Sequence, residues 1–237
     1  MRTACLLLGF LVACDHPDAP STPIQAKHED LATQIQAADQ RMHGRFAASR
    51  QIEYAVARSD LDAAHANAHV IVQLDEPDLV RAWQPYMVGV RGAARQIEVA
   101  PDIVVAAART GTLGLRCAEC HEATHAPIQL NDDPRPVDDP HTSRMPGHQW
   151  AALRMWEGLM APSQARWNEG ALALTTVPLN MVAQAVTPSY QGDIDDVAKI
   201  RLLAREAPAA TTDIARAEVF GSLLSACAHC HAVLRDR

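Results

Sequence analysis

The sequence predicts an all-α protein made of two tandem four-helix bundles. Aromatic residues make up only 4% of the 237 residues and glycine occurs only 11 times, a composition that favours helices over sheets. Apolar residues recur at spacings of three and four, which is the period of a helix that buries one face. The motif Cys-x-x-Cys-His occurs twice, beginning at Cys117 and at Cys227, and each copy ends one half of the chain. Each half is long enough to form a domain with its own core.

Proline and capping residues divide each half into four predicted helices. In the first half these span about residues 28 to 58, 60 to 73, 84 to 98 and 102 to 122, and in the second about 145 to 161, 163 to 176, 193 to 207 and 212 to 235. Apolar stripes run into both motifs: Ile103, Ala106, Thr110, Leu113 and Cys117 in the first half, and Phe220, Leu224, Cys227 and His231 in the second. A third stripe, of Ala152, Trp156, Leu159 and Met160, is typical of core packing.

The first thirteen residues resemble a secretion signal. A positive residue, Arg2, precedes an apolar run from Leu6 to Val12, which is too short to cross a bilayer core of about 30 Å. The run ends Leu11-Val12-Ala13-Cys14, which resembles the box at which bacterial lipoproteins are cleaved and lipidated on cysteine. We therefore expect a signal peptide over residues 1–13, an acylated Cys14 that binds the lipid bilayer, and a proline-rich tether over residues 14–27. An ordinary signal with a chance cysteine is the alternative.

Charge and cysteine content narrow the possible functions. The formal net charge is −7, and an acidic surface argues against nucleic acid as a partner, since phosphates require clustered Lys and Arg. Cys5 leaves with the predicted signal and Cys14 is assigned to the lipid, so four cysteines remain in two pairs. In an oxidising compartment paired thiols are expected to cross-link unless they have another chemical fate.

The two Cys-x-x-Cys-His motifs match the attachment signature of c-type heme. Two thiols separated by two residues can add to the vinyl groups on one edge of a porphyrin, while the adjacent histidine binds the iron. The motifs therefore predict two covalent hemes. The residues involved are Cys117, Cys120 and the proximal ligand His121 in the first half, and Cys227, Cys230 and the proximal ligand His231 in the second.

Three other features of the sequence leave alternatives open. A four-cysteine zinc site normally brings its cysteine pairs much closer in sequence, and a thioredoxin-like pair needs no following histidine. Gly111 and Gly114 interrupt the helix before the first motif, either as tolerated weak points or as space for a porphyrin edge. His65 and His69 lie one helical turn apart, either as metal ligands or as structural histidines, and no third ligand is apparent.

The two halves resemble each other in sequence. From Phe46, aligned with Trp150, an offset of 104 residues gives six identities in fourteen positions: Ala47, Ala48, Arg50, Glu53, Ala57 and Ser59 match Ala151, Ala152, Arg154, Glu157, Ala161 and Ser163. Duplication explains this pattern. The charged, proline-rich segment between the halves marks a boundary, so we expect one heme domain over residues 28–125, a linker over 126–141 and a second heme domain over 142–237.

Four helices that end in Cys-x-x-Cys-His resemble the cytochrome c′ family. The chain is still more similar to tandem diheme lipoprotein cytochromes of bacteria, whose halves carry a Met-x-x-His-aromatic segment in the first helix. Met145-Pro146-Gly147-His148-Gln149-Trp150 fits that segment with one extra residue, whereas Met42-His43-Gly44-Arg45-Phe46 has Arg45 in place of the histidine. The resemblance places the first helix over the distal face of each heme, so the candidate sixth ligands are Met42, His43, Met145 and His148.

These features predict an electron-transferring diheme cytochrome, anchored on the periplasmic side of a bacterial membrane, whose partners are a redox protein or a membrane electron-transfer complex. A gas-binding or sensing protein for NO or CO is the alternative that the resemblance also allows, because cytochromes c′ are typically five-coordinate. An enzyme such as a diheme peroxidase comes third, since the sequence contains no assignable acid/base pair.

Overall fold

A computed structural model of the chain describes residues 23–74, 80–126, 128–130, 132–136, 145–177 and 191–235. Within these ranges, only the backbone is described for residues 23–31, 145, 191–194 and 234–235. Most of the described residues are helical, and none of them lies in a strand. The α-helices are α1 (Pro23–Ala57), α2 (Leu61–Gln73), α3 (Gln84–Glu98), α4 (Ile103–Thr124), α5 (Met145–Met160), α6 (Gln164–Thr176), α7 (Gln191–Glu206) and α8 (Asp213–Arg235). Two short 3-10 helices, Arg81–Trp83 and Ala207–Ala209, precede α3 and follow α7. The all-α prediction is confirmed, and the predicted helix ends agree with these bounds to within a few residues.

Capping side chains start several of these helices where the sequence predicts breaks. The carboxylate of Asp60 accepts from the Ala63 amide at the start of α2, and that of Asp102 accepts from the Val105 amide at the start of α4. The hydroxyl of Ser163 caps α6 in the same way. Such caps satisfy amides that have no partner in the first helical turn.

In each half, consecutive helices pack against one another. The packed pairs are α1 on α2, α2 on α3 and α3 on α4 in the first half, and α5 on α6, α6 on α7 and α7 on α8 in the second.

The two motif-bearing helices, α4 and α8, cross at the centre of the molecule. A Cβ atom on Gly111 would lie 2.2 Å from the carbonyl oxygen of Ala217, and one on Gly221 would lie 3.0 Å from the Cα of Ala108. Residues before the crossing on α4 meet residues after it on α8, so the helices run antiparallel. Gly111 thus makes room for the α8 backbone, which is neither of the two roles considered from the sequence.

Gly114 has a similar packing role. A Cβ atom there would lie 2.5 Å from Leu159 Cδ2 and 2.7 Å from Trp156 Cζ3, both on α5. Trp156 also stacks on Phe220 of α8, with the ring centroids 5.4 Å apart. The bulky side chains of α5 therefore fill the space that Gly114 leaves.

The first helix of each half also packs on the last helix of the other half. Helix α1 contacts α8 as well as α4, and α5 contacts α4 as well as α8. The hydrophobic core is consequently continuous across both halves: the fully buried set includes Ile52, Ile71 and Ile97 from the first half and Trp156, Trp167, Phe220 and Leu224 from the second. The described part of the linker packs on the second half, because Asp133 O accepts from Trp150 Nε1 at 3.0 Å and from Arg154 Nη2 at 2.6 Å.

The sequence offset of 104 residues between the two halves holds within α1 and α5, and it becomes 103 residues at the ends of these helices. Glu53 and Glu157, 104 residues apart, are both buried, at 5% and 3% exposure. At the following turn, however, the N-cap Asp60 corresponds to the N-cap Ser163, and the end of α1 at Ala57 corresponds to the end of α5 at Met160. Helix α5 therefore ends one residue earlier than the sequence alignment implies, the two turns have the same length, and Ser163 takes the place of Asp60 rather than that of Ser59.

Candidate heme-attachment sites

The first motif lies near the end of α4. Cys117, Cys120 and His121 follow one another at helical spacings of three and one, so they lie on adjoining faces of the last turns. Cys120 is buried and Cys117 and His121 are half-buried. The stripe before them is buried as predicted, with Ala106, Thr110 and Leu113 fully enclosed.

The imidazole of His121 has a fixed orientation. Its Nδ1 lies 2.8 Å from the carbonyl oxygen of Met160, the last residue of α5. Burial lowers the pKa of His121, while this backbone bond opposes the shift, so the ring is neutral at pH 7 and Nδ1 donates its proton to the carbonyl. Nε2 then carries a lone pair with no proton, which is the form that binds a metal ion.

His231 in the second motif also has a backbone partner. Burial lowers its pKa first and nearby Arg58 second, and a backbone hydrogen bond with Ala57 raises it, as a carbonyl acceptor does. Ala57 is the last residue of α1. Each motif histidine is therefore oriented by the final residue of the first helix of the opposite half.

Helix termination explains why these two carbonyls are available. The last carbonyls of a helix have no partner within the helix. After α1, the amide of Asp60 bonds to Ala55 O, and after α5 the amide of Ser163 bonds to Gly158 O, in each case across five residues. These turns close the helix ends but leave the terminal carbonyls of Ala57 and Met160 for the histidines.

The four motif cysteines are thiols, and none of them is in a disulfide. Burial, helped by the neighbouring cysteine, raises the pKa of the Cys117 thiol to about 12. Burial followed by the charge of Glu53 raises that of Cys227 to about 12 as well. A thioredoxin-like pair requires a lowered cysteine pKa, so these thiols lack the property that such redox chemistry needs.

A shared zinc site would require the two cysteine pairs to meet. Each motif begins six residues beyond the crossing glycine of its own helix, Gly111 or Gly221. Since α4 and α8 run antiparallel, the pairs lie on opposite sides of the crossing. Within the described residues, no three His, Cys, Asp or Glu side chains form a group that could hold a metal ion.

Positive side chains surround the first motif. Arg45 of α1 is only 6% exposed and interacts electrostatically with Cys117 and Cys120. Burial, and then the neighbouring charges of Arg41 and Arg91, lower the pKa of Arg45 to about 10. Nε and Nη2 of Arg41 are buried and have no hydrogen-bond partner among the described residues. These two nitrogens of Arg41 suit an anionic hydrogen-bond acceptor.

Acidic side chains lie beside the second motif. Glu53 of α1 is 5% exposed, and its burial, opposed by Arg50, raises its pKa to about 7. Asp196 of α7 is 8% exposed and accepts from His229 Nδ1 at 2.5 Å. Both acids interact electrostatically with Cys227. The second motif thus has two buried acids nearby, in addition to Arg58 beside His231.

The candidate sixth ligands occupy unequal positions. Met42 is half-buried, and its sulfur accepts from Arg45 Nη1 at 3.3 Å, which places it beside the first motif. His43 lies on the exposed side of α1, with 70% of its side chain exposed and Asp39 at 3.7 Å. His148 is half-buried on α5, while the side chain of Met145 lies outside the described part.

His65 and His69 each contact a residue at or just after the end of α3. His65 Nε2 lies 3.0 Å from Ala100 O, and His69 Nδ1 lies 2.7 Å from Glu98 Oε1. These contacts give both residues the structural role considered from the sequence.

A heme fits the residues at both motifs. None of the four cysteines is in a disulfide, the ring of His121 is held through Nδ1 so that Nε2 carries no proton, and two buried nitrogens of Arg41 suit a carboxylate such as a propionate. The roles of the Met160 and Ala57 backbone groups, and of the charged side chains beside the motifs, could not be predicted from the sequence. The buried acid had one signal, because Glu53 recurs as Glu157 in the repeat.

Comparison of the chain with family models, with characterised proteins and with solved structures finds no significant match. Among the described residues, no helix combines the length and apolar character needed to cross a bilayer. Cys14 and the predicted signal segment lie outside the described residues.

Proposed function

We propose that this chain is an exported diheme c-type cytochrome built from two cytochrome c′-like four-helix units. Cys117, Cys120 and His121 hold one heme, and Cys227, Cys230 and His231 hold the other. The cofactors are thus two covalent hemes c, and their role is to transfer electrons between a redox protein and a membrane electron-transfer complex.

The observation that carries the proposal is the anchoring of His121 by the terminal carbonyl of α5, together with a backbone partner for His231 at the end of α1. A proximal heme ligand needs its Nδ1 proton bonded elsewhere so that Nε2 faces the iron. Met160 O receives that bond from His121 at 2.8 Å, and His231 has a backbone hydrogen bond with Ala57. Neither a chance motif nor a disulfide pair requires such an arrangement twice.

When bound, c-type heme supplies an iron that changes between ferrous and ferric states with little rearrangement if both axial positions are filled. The residues of this chain provide the rest. The paired cysteines hold the group covalently, the histidines orient the proximal bond, and the buried stripes of α4 and α8 exclude water. The net charge of −7 suits a partner with a basic docking face.

We place the protein on the periplasmic side of a bacterial membrane, held to the bilayer through acylated Cys14. The short apolar run before Cys14 and the proline-rich segment after it support this placement. A Cys14→Ser variant is expected to leave the membrane fraction while it keeps its hemes. Wild-type protein that fractionates without lipid and in soluble form contradicts the anchor.

Heme content tests the central proposal directly. The exported protein is expected to contain two hemes that resist acidic acetone, measured by intact mass and by the pyridine hemochrome spectrum. Replacing Cys227 and Cys230 together by Ala is expected to remove one heme and leave the other, and replacing Cys117 and Cys120 should do the converse. Stoichiometric zinc without a Soret band overturns the proposal.

Carbon monoxide separates electron transfer from gas binding. A methionine or histidine sixth ligand gives a low-spin ferrous spectrum with split α and β bands and slow, incomplete CO binding at that heme. We expect this behaviour on at least one of the two hemes. Rapid stoichiometric CO binding at both, with high-spin spectra beforehand, favours the NO/CO-binding alternative.

A further inference from the structure

The two motifs lie at opposite ends of the molecule. Val104, near the start of α4, lines a cleft of about 350 Å³ together with His229, which belongs to the second motif. The first motif begins at Cys117, thirteen residues further along α4, which is a rise of about 20 Å. The molecule therefore has a first-motif end, at Cys117–His121, and a second-motif end, at Cys227–His231.

Helix α1 runs from the first-motif end toward the second-motif end. Ser59, which follows α1, lines the same cleft as His229. Ten residues earlier, the hydroxyl of Ser49 donates to Met160 Sδ at 3.9 Å. The carbonyl of Met160 in turn accepts from His121 of the first motif at 2.8 Å. The end of α1 thus lies at the second motif, while its middle lies near the first.

The N-terminal part of α1 extends beyond the first motif. Pro23 precedes Ser49 by 26 residues, about 39 Å along the helix axis, whereas α4 ends three residues after its motif. Helix α5, the repeat counterpart of α1, has 16 residues against 35. It begins at Met145, the position that corresponds to Arg41. Residues 23–40 of α1 thus form an extension that α5 does not have.

One side of this extension packs on the protein. Ala38 is 4% exposed, and Gln34 and Ala37 on the same side are half-buried. The opposite side is exposed and includes Ile35. Because residues three and four apart share one face of a helix, the buried side leads on to the buried Arg45. Packing therefore fixes the direction in which the extension leaves the first-motif end.

The predicted lipid anchor is joined to this extension. Cys14 precedes Pro23 by nine residues, which span at most about 30 Å when fully extended. Pro23 and Ser59 lie 36 residues apart, about 54 Å along the axis of α1. Nine residues are thus too few to bring Cys14 back alongside the second motif. The attachment to the bilayer lies on the first-motif side of the molecule.

We propose that the first-motif end faces the bilayer. The site at Cys117–His121 then exchanges electrons with the membrane complex, and the site at Cys227–His231 exchanges them with the soluble redox protein. The inference rests on the proposed function, including its lipid anchor. One electron from the donor reduces the ferric iron at the donor's end of the molecule, passes to the ferric iron at the other end and leaves to the acceptor. Both irons thus return to their starting state.

Energy transfer from vesicle lipids to the hemes tests this placement. The lipidated protein is bound to phosphatidylcholine vesicles that carry a headgroup fluorophore whose emission overlaps the Soret band. The Cys227→Ala, Cys230→Ala variant keeps the nearer heme and should quench the fluorophore more strongly than the Cys117→Ala, Cys120→Ala variant. The added rise of about 20 Å between the motifs should change the quenching at least about twofold. Equal quenching, or stronger quenching by the heme at the second motif, overturns the inference.

Attachment from the opposite end provides the matched control. Helix α8 ends at Arg235, four residues after His231, so the C-terminal side of the described chain lies at the second-motif end. Cys14→Ser forms of both variants, with a hexahistidine tag after Arg237, are bound to vesicles that contain a nickel-chelating lipid. The order of quenching should then reverse. The same order with both attachments shows that it does not depend on the anchor and overturns the inference.

The intact diheme protein provides a second test that needs no loss of heme. A C-terminal hexahistidine tag on the lipidated protein is labelled with nickel-coated gold, and the gold is located relative to the vesicle bilayer by cryo-electron microscopy. Gold on the side of the protein away from the bilayer supports the placement. Gold between the protein and the bilayer, on protein that carries two hemes, overturns this inference alone. Protein without heme, or without lipid, overturns the proposed function as well.

Discussion

In the second half, the buried carboxylate of Glu157 lies 2.6 Å from the buried guanidinium of Arg154. Its repeat partner in the first half, Glu53, interacts instead with the exposed Arg50 of its own helix. The two pairs occupy the same positions in the repeat, Arg50 with Arg154 and Glu53 with Glu157. Linker residue Asp133 also binds Arg154 through its carbonyl. The second pair is thus neutral and enclosed.

This difference indicates that the two halves share a backbone arrangement but differ in the charges of their side chains. Helices α1 and α5 both end in a carbonyl that orients a motif histidine, so their backbone role is the same. Their side chains differ, because α5 neutralises its acid internally and α1 leaves Glu53 facing Cys227. A duplicated frame with unequal charges can support two inequivalent sites.

The largest expected difference between these halves concerns stability. Glu157→Gln removes the nearer of the two carboxylates beside Arg154, whose side chain is 2% exposed, and leaves Glu169 at 3.8 Å. Breaking a buried pair in this way costs about 3 to 5 kcal/mol. Glu53→Gln removes a buried acid that has no such pair and should cost nothing at pH 8. Urea denaturation followed by circular dichroism measures both, and equal losses contradict the contrast between the halves.

The pH dependence of stability should sharpen the same comparison. Burial raises the pKa of Glu53 from 4.5 to about 7 in the folded protein, so the folded state binds its proton more tightly than the unfolded state does. The stabilisation is complete below about pH 4.5 and is lost as the pH rises through 7, a change of about 3 kcal/mol.

The free energy of unfolding, measured between pH 5 and pH 8, should therefore fall more steeply in the wild type than in the Glu53→Gln variant. The test compares these two slopes, so other titrating groups cancel. Parallel pH profiles for wild type and Glu53→Gln contradict this account.

Local patterns predicted much of the fold, and tertiary packing determined the rest. The helices and their breaks followed from periodicity and from caps such as Asp60 and Asp102, because those signals act within a few residues. The contact of each motif histidine with the opposite half did not follow, since neither Met160 nor Ala57 contributes a side chain to it. A backbone carbonyl is present at every position, so sequence offers no mark of which one is used.

The packing role of Gly111 could not be predicted from the sequence either. Its sequence context indicated an interrupted helix, but only the position of α8 reveals that a backbone occupies the space beside it. The sixth-ligand candidates, the lipid anchor and the hemes themselves stay predictions.

The smallest expected effects concern the glycines at the central crossing. A Cβ on Gly111 would lie 2.2 Å from a backbone oxygen of Ala217, which cannot move away without shifting α8. A Cβ on Gly221 would lie 3.0 Å from the Cα of Ala108, a tight contact that a small adjustment relieves. Gly111→Ala should therefore destabilise the protein by about 1 to 3 kcal/mol, and Gly221→Ala by less.

Gly92 supplies the control, because a Cβ there meets nothing within 4 Å and the residue is exposed on α3. Gly92→Ala should stabilise its helix by up to about 1 kcal/mol, since alanine loses less backbone entropy than glycine on becoming helical. The same gain acts at Gly111 and Gly221, so any net loss there measures the crossing itself. If Gly111→Ala proved as stabilising as Gly92→Ala in urea denaturation, α4 and α8 would not cross at Gly111, and the two motifs would no longer be separated by that crossing.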